Sequence, residues 1–539
     1  MARSLPLWAI AFLAPAAPAA EHYLTIGGGP KPDSSQVSIE QNVRFFDSLL
    51  VSVGVPAERR PVLFGSGNSK LPDVCFTPTS KPSELHRNLL RLFEQTGGAE
   101  LDYRAHEVPN AVGGNTKSEI LARLEELAKR VAPSDRVTIY VTGHGGRDTP
   151  TPSGNRGGFR RRAEGGGPEN QPSDPPKNPP SNQPAQQPGA TSRPAGGAHL
   201  YTWRGDRLTV KEFVRALDRF PPETEVAVVM VQCYCGGFAN LIFEEGDPSR
   251  PLSKHRRAGF FATIETRPAA GCTPDTKIED YREYSTYFWA AAGGRDRRGA
   301  PVAGVDVSGD GKIDFAEAHA HTLVHADTID IPIKTSDRFL RKHAKLDPND
   351  HRSPAAETYF SRLASAATPL ERWTLETLSA ELKLAGEDRI GSAGQRAKDV
   401  DVERRDVQRR IASLDRQTRE RRDRIANSLL ARWPFLAAAW HPKTHVAIEK
   451  DDPEMRAAIE KHADAAEWKK QREEIARLRA EDLRLERRWA KLERLRYVAE
   501  SAALALRLAL VGPEPTRREY EGLLKLENAS LPSAATRSR

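Results

Sequence analysis

Two short strings hold the reactive side chains of this chain. The first, VTIYVTGHGG (Val137–Gly146), ends an apolar run with His144, and the second, VAVVMVQCYCGGF (Val226–Phe238), ends one with Cys233. A thiol with an ordinary pKa of roughly 8.5 is only slightly ionised at neutral pH, so a thiol nucleophile calls for an imidazole that accepts its proton and passes it to a leaving amine. Gly145 after the histidine lets backbone approach a substrate carbonyl, and its N–H together with that of Cys233 makes an oxyanion hole. Gly236 and Gly237 let the chain turn away after the nucleophile.

A third string, DVSGDGKIDFAE (Asp306–Glu317), has the spacing of a calcium loop. Side-chain oxygens fall at Asp306, Ser308, Asp310, Asp314 and Glu317, Lys312 supplies a backbone carbonyl, and Gly311 allows the turn that gathers them. A helix over 315–325 is predicted to leave the loop, whereas GGRDRRGAPVAG before it forms no entering helix, so the loop resembles half of an EF-hand, as in dockerins. His321 and His325 share a helix face with zinc spacing, but no glutamate stands in H-E-x-x-H register, and His319, His321 and His325 are expected to face solvent. Gly27–Gly29 lacks the rest of a phosphate loop and reads as a plain turn.

These side chains need a sheet to position them. HYLTI (22–26), PVLF (61–64), VTIYV (137–141), VAVVMV (226–231) and GFFATI (259–264) read as strands, alternating with amphipathic helices from near Ser38, over 116–131 and over 209–217, the last opened by a Thr209/Glu212 capping box. Continuous apolar strands between helices predict an α/β fold with a mainly parallel sheet covered on both faces, and reactive residues at the strands' C-terminal edge. The tract 147–196 is rich in Gly, Pro, Gln, Asn and Ser, with a basic patch at Arg160–Arg162, and reads as a disordered insertion directly after the histidine.

A strand ending in T-G-H-G followed by one ending in a cysteine with small residues after it resembles the caspase-like cysteine peptidases, which include legumains, metacaspases and gingipains; QCYCGGF is most similar to the legumain type. The resemblance spans roughly 22–344 and implies a caspase-like α/β domain with Cys233 as nucleophile and His144 as general acid/base. Cys235 stands where legumains have serine, and C-G-G also satisfies the caspase spacing, which leaves Cys235 as the alternative nucleophile. The resemblance implies that the pocket for the residue before the scissile bond is built from the segment after the nucleophile strand, with Glu265, Asp275 and Asp280 as carboxylates that would favour a basic residue. Relatives differ between asparagine and arginine or lysine.

The 539 residues exceed one hydrophobic core. Residues 1–20, with Arg3, an apolar Leu5–Leu13 and small residues to Ala20, read as a signal peptide; 21–346 as the peptidase domain; 355–512 as an all-α antiparallel hairpin with seams at Val400, Val407, Ile411, Leu414 and Ile425 and at Ile475, Leu478, Leu485, Trp489 and Leu492; and 513–539 as a C-terminal tail, loose over its last dozen residues. The expected location is secreted or cell-envelope, without a transmembrane segment. A net charge of +8 amid 29% charged residues of both signs reads as solvated helix surface, not as a nucleic-acid footprint. Four cysteines are too few for a disulfide scaffold. The expected activity is endopeptidase cleavage of protein or peptide substrates with calcium as cofactor, and the hairpin is a surface for self-association or a protein partner. The alternative is a catalytically inactive, calcium-binding interaction protein.

Overall fold

A computed structural model describes residues 19–79, 82–93, 101–148, 197–345, 359–438 and 441–532. The predicted signal peptide (but for its last two residues), the insertion beyond Asp148 and the chain's last seven residues lie outside the described residues. The strands are β1 (Glu21–Gly28), β2 (Val62–Phe64), β3 (Val74–Phe76), β4 (Asp102–Arg104), β5 (Ala111–Gly113), β6 (Arg136–Gly143), β7 (Gly145–Arg147), β8 (Ala198–Tyr201), β9 (Arg207–Thr209), β10 (Glu225–Met230), β11 (Arg257–Phe261) and β12 (Ile333–Lys334). The helices that matter are α1 (Val37–Ser52), α2 (Glu84–Leu92), α3 (Lys117–Arg130), α4 (Val210–Leu217), α5 (Tyr284–Ala292), α6 (Phe315–His325), α7 (Thr335–His343), α8 (Phe360–Ala366), α9 (Pro369–Glu381), α10 (Arg389–Arg432), α11 (Pro442–Glu449), α12 (Pro453–Glu460), α13 (Ala465–Val511) and α14 (Glu514–Glu527).

Seven strands form one sheet in the order β12-β11-β10-β6-β1-β2-β5. All neighbours run parallel except β12, which closes the β11 edge antiparallel. The architecture is therefore α/β with a mainly parallel sheet. β6 and β10 are buried on both faces, which explains their continuous rather than alternating apolar sequence. Tyr140 of β6 packs edge-on against Phe46 of α1 and Trp289 of α5, while α3 and α4 bring Leu124 and Phe213 to the same core. The Thr209/Glu212 capping box forms as read, and Thr116 caps α3.

The long helices α10 and α13 lie antiparallel: Arg404 bonds Asp482, Arg410 bonds Glu474, and Arg421 bonds Asp464, so positions advancing along one helix meet positions retreating along the other. Pro434, Pro442 and Pro453 each open a short helix in the connection, where a missing N–H costs nothing. The polar Asp482 is held by Arg404 and Gln408. Among the described residues no helix is long and apolar enough to cross a membrane.

The end of the chain corrects the expectation of a tail. Residues 514–527 form α14, which seats Tyr520 and Leu523 in the same core as the sheet, and Phe315 N–H donates to the carbonyl of Ala529 at 2.7 Å. Glu527 caps α7: its carboxylate accepts from Ser336 N–H, Ser336 Oγ and Thr335 Oγ1 and pairs with Lys334 Nζ at 2.8 Å. The apolar spacing in this stretch is short, and its anchor is a single buried glutamate that periodicity does not reveal. Glu527→Ala leaves the half-buried Lys334 ammonium and the buried Ser336 and Thr335 donors without their carboxylate and is expected to cost about 3 kcal/mol, read as a lowered midpoint in denaturant unfolding.

Candidate active site

β6 and β10 are adjacent parallel strands with Val141 opposite Met230, so His144 and Cys233 both lie three residues beyond the same paired row, at the strands' C-terminal edge. Their backbones nearly touch. A Cβ added to Gly145 would lie 2.3 Å from the Cys233 carbonyl oxygen and 2.6 Å from Gln232 Cγ, so only glycine fits after the histidine. The Cys233 thiol is half-buried and accepts the N–H of Ala269 at 3.3 Å. The His144 imidazole places Nε2 3.0 Å from Gln36 Oε1 and also hydrogen-bonds the Ser34 carbonyl, both from the segment between β1 and α1. Thiol and imidazole are thus oriented by separate neighbours and make no hydrogen bond to each other.

Burial lowers the His144 pKa and raises that of Cys233. Both groups are therefore neutral at pH 7, an arrangement for imidazole as general base toward a thiol rather than for a standing ion pair. Cys235 is different in kind. It is fully buried, accepts the Thr263 N–H at 3.4 Å, and is driven to a higher pKa by that burial. Between the two cysteines Tyr234 adopts a left-handed φ of 60°, with the Arg147 guanidinium 5.3 Å from its ring centre. Gly236 then passes against the 263–265 backbone, where a Cβ would meet Glu265 N at 2.7 Å. All four cysteines are free, and Cys272 points its thiol at the Gly143 carbonyl, 3.7 Å away.

The three carboxylates nominated for a specificity pocket have separate neighbours. Glu265 faces Arg338 at 3.4 Å, Asp275 accepts the N–H of Lys277, and Asp280 is exposed. A different carboxylate is present. Asp330, on the loop between α6 and β12, is fully buried, accepts the N–H of Ala270 through Oδ1 at 2.6 Å, and leaves Oδ2 without a partner. Ala270 follows the residue that donates to Cys233, so this carboxylate and the thiol share one loop as support. Burial raises the Asp330 pKa to about 6. Its signal in the sequence is faint: one acid inside the otherwise apolar TIDIPI (Thr328–Ile333), where an isolated charge needs a reason.

In the 306–317 loop, Gly311 has a φ of 80°, and Asp306 accepts the N–H groups of Gly309 and Gly311. Glu317 reaches back to the N–H groups of Val307 and Ser308 and, with Asp314, forms the capping box that starts α6. Asp310 accepts the N–H of Lys312. The donor set is all oxygen, the chemistry calcium takes; among the described residues no group of three or more His, Cys, Asp or Glu side chains is set to hold a metal. Of the histidines on α6, His325 is exposed as expected, whereas His319 and His321 are buried because α6 runs between the sheet and α9, with His319 Nδ1 2.8 Å from the Tyr284 hydroxyl. His325 pairs with Glu381.

No family model matches this chain, and no curated protein matches it. Among solved structures it is similar to the crystal structure of protein GSU0716 from Geobacter sulfurreducens, at 9% identity over 47% of this chain and 77% of that one, with a TM-score of 0.23. A likeness that slight says nothing about chemistry, which rests on the residues above.

Proposed function

We propose that this chain is a cysteine endopeptidase of caspase-like architecture, exported, with Cys233 as nucleophile and His144 as general acid/base. The observation that supports it most is the placement of His144 and Cys233 at equal depth beyond neighbouring parallel strands, with Gly145 pressed against the Cys233 carbonyl. In the reaction, Cys233 Sγ forms a bond to the substrate carbonyl carbon as His144 takes the thiol proton. The N–H groups of Gly145 and Cys233 serve the oxyanion. The C–N bond then breaks as His144 returns the proton to the leaving amine, and water cleaves the thioester to release the acid and the free thiol. Cys235 is the poorer nucleophile because its sulfur is enclosed.

The unpartnered oxygen of Asp330 makes a cationic side chain the favoured residue before the scissile bond. The loop 306–317 would hold calcium through Asp306, Ser308, Asp310, the Lys312 carbonyl, Asp314 and Glu317, and a bound ion would brace the start of α6 ahead of the Asp330 loop. A second reading, an inactive calcium-binding interaction protein, draws on the fact that thiol and imidazole each bond elsewhere. Incubation with a peptide library, followed by mass spectrometry of the products, separates the two: the peptidase reading expects cleavage after arginine or lysine, and no cleavage with or without calcium favours the second.

A further inference from the structure

The C-terminal helix α13 reaches into the first domain with one arginine. Arg494 is fully buried, and every nitrogen of its guanidinium is used on the end of α6 and the loop after it that carries Asp330: Nε donates to the Asp330 carbonyl at 2.8 Å, one terminal nitrogen to the carbonyls of Leu323 and Ala326, and the other to the carbonyl and Oγ1 of Thr328. Thr328 Oγ1 in turn accepts the Asp330 N–H. The same helix holds the 267–270 loop that contacts the thiol, since Arg267 pairs with Glu486 at 2.7 Å and lies 4.6 Å from the centre of the Trp489 ring. The loop that contacts Cys233 and the loop that carries Asp330 are therefore both fastened to α13. A planar five-donor fork that satisfies carbonyls at four positions fixes a loop's shape in a way a lysine ammonium does not.

We propose that Arg494 is a positioning residue for the substrate site: it ties the end of α6 to the 326–330 loop and so fixes Asp330, with its unpartnered oxygen, against the 269–270 loop that supports Cys233, which makes the helical hairpin a working part of the peptidase. This rests on the peptidase reading above. The test uses the full-length chain and compares wild type with Arg494→Lys and, as a milder change that keeps the buried charge, Thr328→Val. Kinetic constants for an arginine-containing peptide are taken per active site, counted by covalent labelling of Cys233, alongside the alkylation rate by iodoacetamide.

Positioning predicts that Arg494→Lys raises KM about tenfold or more and narrows the preference for arginine over a neutral residue, that Thr328→Val does the same to a smaller degree, and that alkylation stays within about twofold. A purely structural role lowers the number of active sites while leaving constants per site unchanged, and that result in whichever variant folds overturns the proposal. Wild type that neither labels at Cys233 nor cleaves peptide overturns the peptidase reading and this inference with it.

Discussion

Cys233→Ala is expected to lower peptide hydrolysis by about 10⁴-fold or more, while Cys235→Ala leaves it within about threefold, measured as kcat/KM on a peptide cleaved by the wild type. The two cysteines are two residues apart, yet their surroundings differ. Cys233 is half-buried at the sheet edge beside Gly145, where its thiol accepts the Ala269 N–H. Cys235 has turned inward through the left-handed Tyr234 and is sealed beneath the 263–265 backbone. Removing its sulfur takes away core packing, so Cys235→Ala is expected to cost about 1–2 kcal/mol of stability instead of catalysis. Loss of turnover in Cys235→Ala, with retention in Cys233→Ala, would reverse the assignment and shift the motif by two residues.

Asp330→Asn is expected to lower kcat/KM for arginine and lysine substrates by about 10²-fold while leaving neutral ones within a fewfold. The substitution keeps an oxygen for the Ala270 N–H but removes the charge a buried cation would pair with, and such a loss typically costs 2–5 kcal/mol. A pH dependence follows with a definite sign. Burial raises the Asp330 pKa to about 6, so the carboxylate becomes protonated as pH falls through that value. Activity on cationic substrates should drop below about pH 6, activity on neutral ones should lack that limb, and Asp330→Asn should abolish the difference. Equal losses on both substrate classes would remove Asp330 from recognition and leave it a structural acid.

The placement of the candidate site was legible because its residues stand at strand ends. Continuous apolar runs place β6 and β10 inside a covered sheet, and the residues that end such runs emerge at one edge, so the sequence already sets His144 and Cys233 at the same edge. The resemblance favoured Cys233 over Cys235, but the difference in their burial was not legible, since it depends on the turn at Tyr234 and on what packs over Gly236. Nor was the carboxylate proposed for recognition: Glu265, Asp275 and Asp280 lie close in sequence to β10, whereas Asp330 arrives from beyond the 306–317 loop and its carbonyl is held by Arg494, more than a hundred residues further on. The hairpin seams at Val400, Val407, Leu478 and Leu485 read correctly from spacing. The same spacing hid the role of α14, because a helix tied down by one buried glutamate and two core residues has too little periodicity to announce itself.

The most direct measurement of the central claim is the mass spectrum of the full-length protein after reaction with an arginine-containing peptide that bears a thiol-reactive electrophile. The account predicts one adduct, mapped by proteolysis to Cys233, formed in competition with peptide substrate and lost in His144→Ala. An unmodified Cys233 under conditions where free thiols on the denatured chain react fully, with calcium present and absent, would contradict it.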